Sequence, residues 1–250
     1  MSGHNKWSSI KHKKGAADAK RGKVFSKIAK EIMVTVRTGG ADPNANITLR
    51  ALIQKGRAAN MPSDNIERAI KRGSGDIEGE VLEEVTFEGY APGGVGLVVQ
   101  TLTNNRNRSA ADVRHVFTRH GASFAGQGSV LRSFQRKGEI LIDASKIEED
   151  KLMELVLEAG AEDMVREGDQ FQITTDPSSF MSVVDALNKA EIPMEKSEVS
   201  LMPDVLVPIN DKTKADAIIR FIEELEELED VQNVYSNFDI DPSIADQMGK

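Results

Sequence analysis

Apolar residues recur at every third or fourth position through the first part of the chain, which is the spacing of amphipathic helices. One stripe begins soon after Ala17 and is interrupted by Gly39-Gly40 and by Asp42-Pro43. Its members are Val24, Phe25, Ile28, Ala29, Ile32 and Val36. The stripe predicts one long helix that buries a single face.

Two shorter helices are predicted to follow. The first covers Ile47 to Ala59. The second begins with Ser63 or Asp64 as its N-cap and stops at Gly73, since these residue types satisfy or terminate helix ends. Three helices that each bury one face predict a small helical domain, which we place at residues 1–78.

After Gly75 the pattern changes to the period of two that is typical of strands. Residues 83–103 predict two strands joined by a turn at Pro92-Gly93-Gly94. Residues 107–121 then predict a helix that ends at Gly121, and residues 128–135 predict a further strand.

The next stretch predicts six elements in the order β-α-β-β-α-β, which is the ferredoxin-like order. They are Glu139–Asp143, Ile147–Ala159, Asp163–Arg166, Phe171–Thr175, Ser178–Ala190 and Glu195–Met202. We therefore place a ferredoxin-like domain at residues 136–205.

An amphipathic helix follows Pro208, with Ile218, Ile219 and Ile222 on its apolar face, and a final strand is predicted at 231–238. These elements complete the unit begun at residue 79, so the middle domain is predicted to be discontinuous, at 79–135 plus 206–240. The predicted fold class is α+β, with a small N-terminal helical domain, a discontinuous α/β sandwich and an inserted ferredoxin-like domain.

Composition narrows the possible chemistry. The absence of cysteine excludes disulfides, zinc–thiolate sites and thiol nucleophiles. His115 and His120 are five residues apart and diverge by about 140° on a helix, a poor geometry for a metal. No nucleophile elbow, zinc-protease motif or P-loop occurs, and the acidic run 223–230 reads as a solvated helix face. We predict no catalytic residue, cofactor, metal, small-molecule substrate or membrane span; an enzyme of unrecognised geometry is the alternative.

Charge is divided sharply along the chain. Residues 1–75 contain 16 basic and 5 acidic residues, whereas the whole chain has 32 basic and 40 acidic residues and a net charge of −8. The N-terminal part is therefore at +11 and the remainder at −19. This asymmetry predicts an arm that binds a polyanion and a body that repels it.

The lysines of the long helix are aligned. Lys20, Lys23, Lys27 and Lys30 lie within an arc of about 80° on a side nearly opposite the apolar stripe, which predicts an outward-facing lysine ridge. A basic tail around Trp7 precedes it; the tail can order on binding and stack Trp7 on a base. A solvated face, an organelle transit peptide and a membrane-surface helix are the alternatives; the modest apolar stripe, with few aromatic residues, argues against the last.

Further cations decorate the later helices. Arg50, Gln54 and Arg57 follow helical spacing, and Arg106 and Arg108 lie in an Asn-rich stretch that could contact phosphates, although helix capping by Asn is the commoner explanation. The predicted nucleic-acid-binding residues are Lys6, Trp7, Lys11, Lys13, Lys14, Lys20, Arg21, Lys23, Lys27, Lys30, Arg50, Arg57, Arg68, Lys71, Arg72, Arg106 and Arg108.

Several long motifs in one order resemble the YebC/PmpR family. They include GHNKWSSIKHKKGAADAKRGKVFSKIAKEI, GGADPNANITLRALI, NMPSDNIERAIKRG and EGYAPGGVGLVVQTLTNNRNRSAADVRHVFTRHG. The resemblance covers nearly the whole chain and is most specific in its first 130 residues. It departs at SVLRSF, where the family more often has an apolar or aromatic run after Ser-Val.

The resemblance implies a three-domain, cytoplasmic, non-enzymatic protein. Family members are usually described as transcriptional regulators that bind DNA, and their relatives include the mitochondrial translational activator of cytochrome c oxidase. The expected partner is therefore DNA. The alternative is a ribosome-associated translation factor that binds ribosomal RNA. The acidic domains could in addition bind a protein partner.

Overall fold

A computed structural model of the chain describes residues 18–241 and 244, with side chains from residue 22 onward. Contacts between residues divide this part of the chain into two compact units. One unit contains residues 130–215 and 235–241, and the other contains residues 18–129 and 216–234. Both helices and antiparallel sheets are present, which confirms the predicted mixed fold class. The three-domain boundaries drawn from the sequence stay a prediction.

The helical segment consists of α1 (Asp18–Gly39), α2 (Ile47–Ala58) and α3 (Ser63–Ser74). Most of the predicted stripe forms its core, because Ile28, Ile32 and Val36 are buried. The prediction is wrong for Val24, which lies near the start of the helix and is 41% exposed. Apolar residues of α2, α3 and the connection between them complete this cluster; they are Leu49, Met61, Ile66 and Ala69.

The end of α3 differs from the sequence prediction. The helix continues through Gly73 and is closed by Gly75, which has a left-handed φ of 86°. Gly73 instead marks a close approach of α3 to α1, where a Cβ atom would lie 2.7 Å from the carbonyl oxygen of Met33. It also would lie 2.8 Å from the Cβ of Val36. The glycine that reads as a stop is therefore a helix–helix contact.

A four-stranded sheet follows, in the order β3 (Ser123–Ala125), β1 (Glu83–Ala91), β2 (Val95–Thr103) and β9 (Val231–Ser236). The strands β1 and β2 form the predicted hairpin, with Gly93 and Gly94 at positive φ in the turn. Phe117 and Phe221 meet edge to face at 5.0 Å between ring centroids, so the helices that carry them pack together. These helices are α4 (Arg106–Arg119) and α7 (Lys212–Glu226).

The strand predicted at 128–135 is wrong for most of its length. Residues Leu131–Ser133 form a short 3-10 helix, and the strand begins only at Phe134. The cause is local, because the amide and the hydroxyl of Ser133 both donate to the carbonyl of Val130, at 2.9 and 2.7 Å. These two bonds close a turn where the apolar pattern alone suggests extension.

The second four-stranded sheet is ferredoxin-like, as predicted. Its order is β5 (Ala161–Glu167), β6 (Gln170–Thr175), β4 (Phe134–Asp143) and β7 (Lys196–Pro203), and all neighbouring strands are antiparallel. Ile140, Ile142 and Ile173 form part of its buried core. Short strands β8 (Val207–Ile209) and β10 (Phe238–Ile240) pair in parallel. The helices of the sheet unit are α5 (Glu149–Glu158) and α6 (Phe180–Lys189). Over the described residues, none of the helices has the length and apolar character that crossing a bilayer requires.

Candidate nucleic-acid interface

The lysines of α1 contact the C-terminal end of α7 and the turn after it. Lys23 forms an ion pair with Glu227, and its Nζ also donates to the Glu227 carbonyl at 3.2 Å. Lys27 Nζ donates to the carbonyl of Glu226 at 3.1 Å. Lys30 Nζ donates to the carbonyl of Glu229 at 3.2 Å and to the Asp230 carboxylate at 2.9 Å. These three lysines of α1 thus bind the C-terminal end of α7 and the turn that follows it.

These contacts have a simple electrostatic cause. The last carbonyls of a helix have no intrahelical partner and carry the negative end of the helix dipole, so cations stabilise them. The prediction that the ridge faces outward is wrong for Lys27 and Lys30, which are half-buried; the Lys30 side chain is only 16% exposed. Their contact with nucleic acid stays a prediction, and it would require these bonds to break.

Asp230 is the anion at the centre of this contact. Its carboxylate also accepts hydrogen bonds from Arg108 at 2.8 Å, from the hydroxyl of Ser109 at 2.7 Å and from that of Thr103 at 3.0 Å. Burial by itself raises the pKa of Asp230, but the bonds from Arg108, Ser109 and Lys30 outweigh it and hold the pKa below its usual range. Asp230 therefore stays ionised and joins three elements.

Sequence reasoning missed Asp230 because it ends an acidic run that resembles a solvated face. That interpretation is right for Glu223 and Glu227, which are exposed. It is wrong for Asp230, which is only 6% exposed. The sequence carries no clear signal for this burial, because Asp230 is buried by contacts with α1, β2 and α4, which lie far from it along the chain.

The Asn-rich stretch before α4 serves as a helix cap. The side chain of Asn105 accepts a hydrogen bond from the backbone amide of Arg108 at 3.1 Å. The side chain of Asn104 accepts a hydrogen bond from the Arg108 guanidinium at 2.9 Å. Capping, the explanation favoured for these asparagines, is therefore what the structure shows for Asn105. Of the two arginines predicted here, Arg108 is engaged by Asp230, and Arg106 is exposed with no ion pair to any residue the structure describes.

The cations of α2 and α3 form a second group. All are exposed, and apart from Lys55 their side chains make no ion pair or hydrogen bond within the described part of the chain. By contrast, Lys55 on α2 pairs with Glu31 at 3.1 Å. The unpaired cations are Arg50, Arg57, Arg68, Lys71 and Arg72.

The side chains of the remaining predicted nucleic-acid-binding residues are not among those that the structure describes. Lys6, Trp7, Lys11, Lys13 and Lys14 lie outside the described residues. Lys20 and Arg21 lie on α1 before the first described side chain. Their role in binding stays a prediction.

The histidines on α4 and at its end take part in ordinary packing. His120 stacks on Phe221 at 4.9 Å between centroids, and its Nε2 lies 2.7 Å from Glu224. His115 Nε2 lies 2.9 Å from the Arg119 guanidinium. Over residues 18–241 the structure contains no group of three side chains that could hold a metal ion.

Fold and surface together define an α+β protein in which a cation-bearing helical segment precedes two antiparallel sheets. Two family models match this chain. The TACO1/YebC protein N-terminal domain matches residues 5–76, and the TACO1/YebC second and third domain matches residues 82–238. The chain belongs to the TACO1/YebC family, which confirms the resemblance drawn from its motifs.

Relatives match over their full length. A probable transcriptional regulatory protein of Syntrophobacter fumaroxidans is 49% identical over 248 residues, which cover 99% of this chain and 100% of the relative. One of Trichlorobacter lovleyi, with the same description, is 50% identical over 250 residues, covering 100% and 99%. The crystal structure of a conserved hypothetical protein from Aquifex aeolicus is 46% identical, with a TM-score of 0.84 over 93% of this chain and 96% of that one.

Proposed function

We propose that the protein is a non-enzymatic regulator of gene expression that binds nucleic acid through its helical segment. One observation carries the proposal: the cations of α2 and α3 other than Lys55 are exposed and have no anionic partner among the described residues. Unpaired arginines in a region of net +11 are suited to phosphates, which arginine binds in a bidentate manner. The names of the relatives, probable transcriptional regulatory proteins, support the regulatory role.

DNA is the first candidate ligand, because relatives carry the name of transcriptional regulators. A specific observation favours the alternative, RNA bound by a ribosome-associated translation factor. The first turns of α2 and α3 contain no cluster of arginine, asparagine or glutamine that could read bases in a major groove. Folded RNA is recognised mostly through shape and unpaired segments, for which scattered cations suffice.

We also propose that the protein acts in the cytoplasm. Its acidic remainder, at net −19, keeps nucleic acid to the helical segment by like-charge repulsion. A protein partner that binds the acidic domains stays a prediction.

Fluorescence anisotropy at a series of salt concentrations tests the proposal. The full chain is titrated against a labelled duplex DNA and a labelled folded RNA with the same number of phosphates. We expect log K to fall linearly with log salt concentration for the preferred ligand, because phosphate contacts release counterions. Absence of binding to both ligands at low salt would refute the proposal.

Sedimentation of cell lysate separates the two forms of the proposal. Recovery of the protein in ribosomal fractions at moderate salt supports the translation factor. Its absence from those fractions, together with a footprint on a defined promoter, supports the transcriptional regulator.

A further inference from the structure

A groove of about 190 Å³ lies between α1 and α3. Its apolar lining includes Met61 and Ala69, which are buried, and Met33, which is partly buried. Arg68 and Arg72 from α3 also line it and are exposed. An apolar slot with two guanidinium groups at its margin fits a ligand that is flat and apolar in one part and anionic in the next.

Two further groups in the groove are available to a ligand. Phe25 is partly buried and makes no ring contact with another aromatic residue in the described part of the chain. Asn65 also lines the groove, and no described residue hydrogen-bonds to its side chain. An aromatic face and a free amide are the groups that proteins use to stack a base and to pair with its edge.

We infer that this groove takes an unstacked nucleobase from a single-stranded segment or a loop, with the flanking phosphates on Arg68 and Arg72. Phe25 stacks on the base and Asn65 hydrogen-bonds to its edge. The inference rests on the proposed function and goes beyond it, because it names an unpaired strand as the ligand. A duplex can give phosphates to the arginines, but its paired bases cannot enter the groove.

The charges around the groove favour this ligand. α3 also carries Asp64 and Glu67, but neither lines the groove, so both of its charged lining residues are cations. An anionic ligand is therefore expected, and a basic or neutral peptide is disfavoured. None of the α1 lysines that bind the end of α7 lines the groove. The α1 residues that line it are Phe25, Ser26, Ala29 and Met33.

The experiment compares two labelled RNAs with equal numbers of phosphates, one a hairpin with an unpaired loop and one fully paired. The full chain is expected to bind the looped RNA about tenfold more tightly, the effect of stacking one base on an aromatic ring. Phe25→Leu keeps an apolar side chain but removes the ring, and should abolish most of this preference. Ser26→Leu narrows the groove from an exposed position and should do the same.

Ile47→Ala is the matched control, because it changes an exposed apolar residue of α2 that does not line the groove. Ile47→Ala should keep the preference for the looped RNA in full.

Urea unfolding of each variant checks that the variant is folded. Retention of the loop preference in folded Phe25→Leu and Ser26→Leu, or equal binding of the two RNAs by the unaltered chain, would overturn the groove assignment and leave nucleic-acid binding intact. Failure to bind either RNA or DNA would instead refute the proposed function.

Discussion

The Asp230 carboxylate joins three elements, since it binds Lys30 of α1, Thr103 of β2 and Arg108 of α4. Asp230→Asn keeps the shape of the side chain but leaves two cations without their anion. We expect it to lower the free energy of unfolding by about 2–3 kcal/mol, because charged hydrogen bonds at a buried site are lost. Urea denaturation measures the change. Glu229→Gln, at an exposed neighbour, should stay within about 0.5 kcal/mol of the parent.

The same residue predicts how stability depends on pH. Because the folded pKa of Asp230 lies below its value of about 3.9 in an unfolded chain, its contribution is complete above that value and is lost as the pH falls toward the folded pKa. The stability difference between the parent and Asp230→Asn should therefore shrink as the pH falls from about 5 to about 2. Urea titrations across this range test it, and a difference that grows on acidification would be inconsistent with the contacts described.

At the scale of elements, the packing of α3 on α1 depends on Gly73. Gly73→Ala places a methyl group against the backbone of Met33 and should lower stability by about 2 kcal/mol, because overpacking forces the helices apart. Gly22→Ala is the matched control within α1, where an added Cβ meets no described atom within 4 Å. It should raise stability by about 0.5–1 kcal/mol through better helix propensity. Equal effects of the two substitutions in thermal or urea unfolding would rule out the close contact.

The contact between α1 and the end of α7 makes a separate prediction. Lys27→Ala removes a charged donor from the Glu226 carbonyl and should cost about 1 kcal/mol of unfolding free energy. Lys55→Ala removes the ion pair between the exposed Lys55 of α2 and Glu31 of α1 and should cost less than about 0.5 kcal/mol. Chemical denaturation of both variants decides the point: a Lys27→Ala chain as stable as Lys55→Ala would show that the ridge does not hold α7.

The periodicity of a sequence shows which face of an element is apolar, and this is why the stripe of α1, the hairpin and the ferredoxin-like order were all predictable. It does not show what lies against the other face. The wheel correctly separates Lys27 and Lys30 from the apolar stripe, but the end of α7 that covers them is about 200 residues away along the chain, at separations of 199 and 200. Gly73 and Asp230 were misread for the same reason, since a close helix contact and a buried carboxylate are both properties of distant neighbours.

At the scale of the whole molecule, the excess of positive charge at the N-terminal end has two uses. Part of it is used within the fold, because Lys23, Lys27 and Lys30 bind carbonyl and carboxylate oxygens at the end of α7 and in the turn after it. A second part is on α2 and α3, where every cation except Lys55 is exposed and has no anionic partner among the described residues. A count of lysines along the sequence does not separate the two groups, whereas their partners in the fold do. Nucleic-acid binding is accordingly assigned mainly to the second group.

The salt dependence of nucleic-acid binding tests this assignment most directly. In a variant with Arg50, Arg57, Arg68 and Arg72 all replaced by alanine, we expect the slope of log K against log salt to fall by up to about three units, since each phosphate contact contributes about 0.7–0.9. Lys55→Ala, which removes a cation already paired with Glu31, should leave the slope unchanged. A folded quadruple variant that keeps the parent's slope would contradict the account.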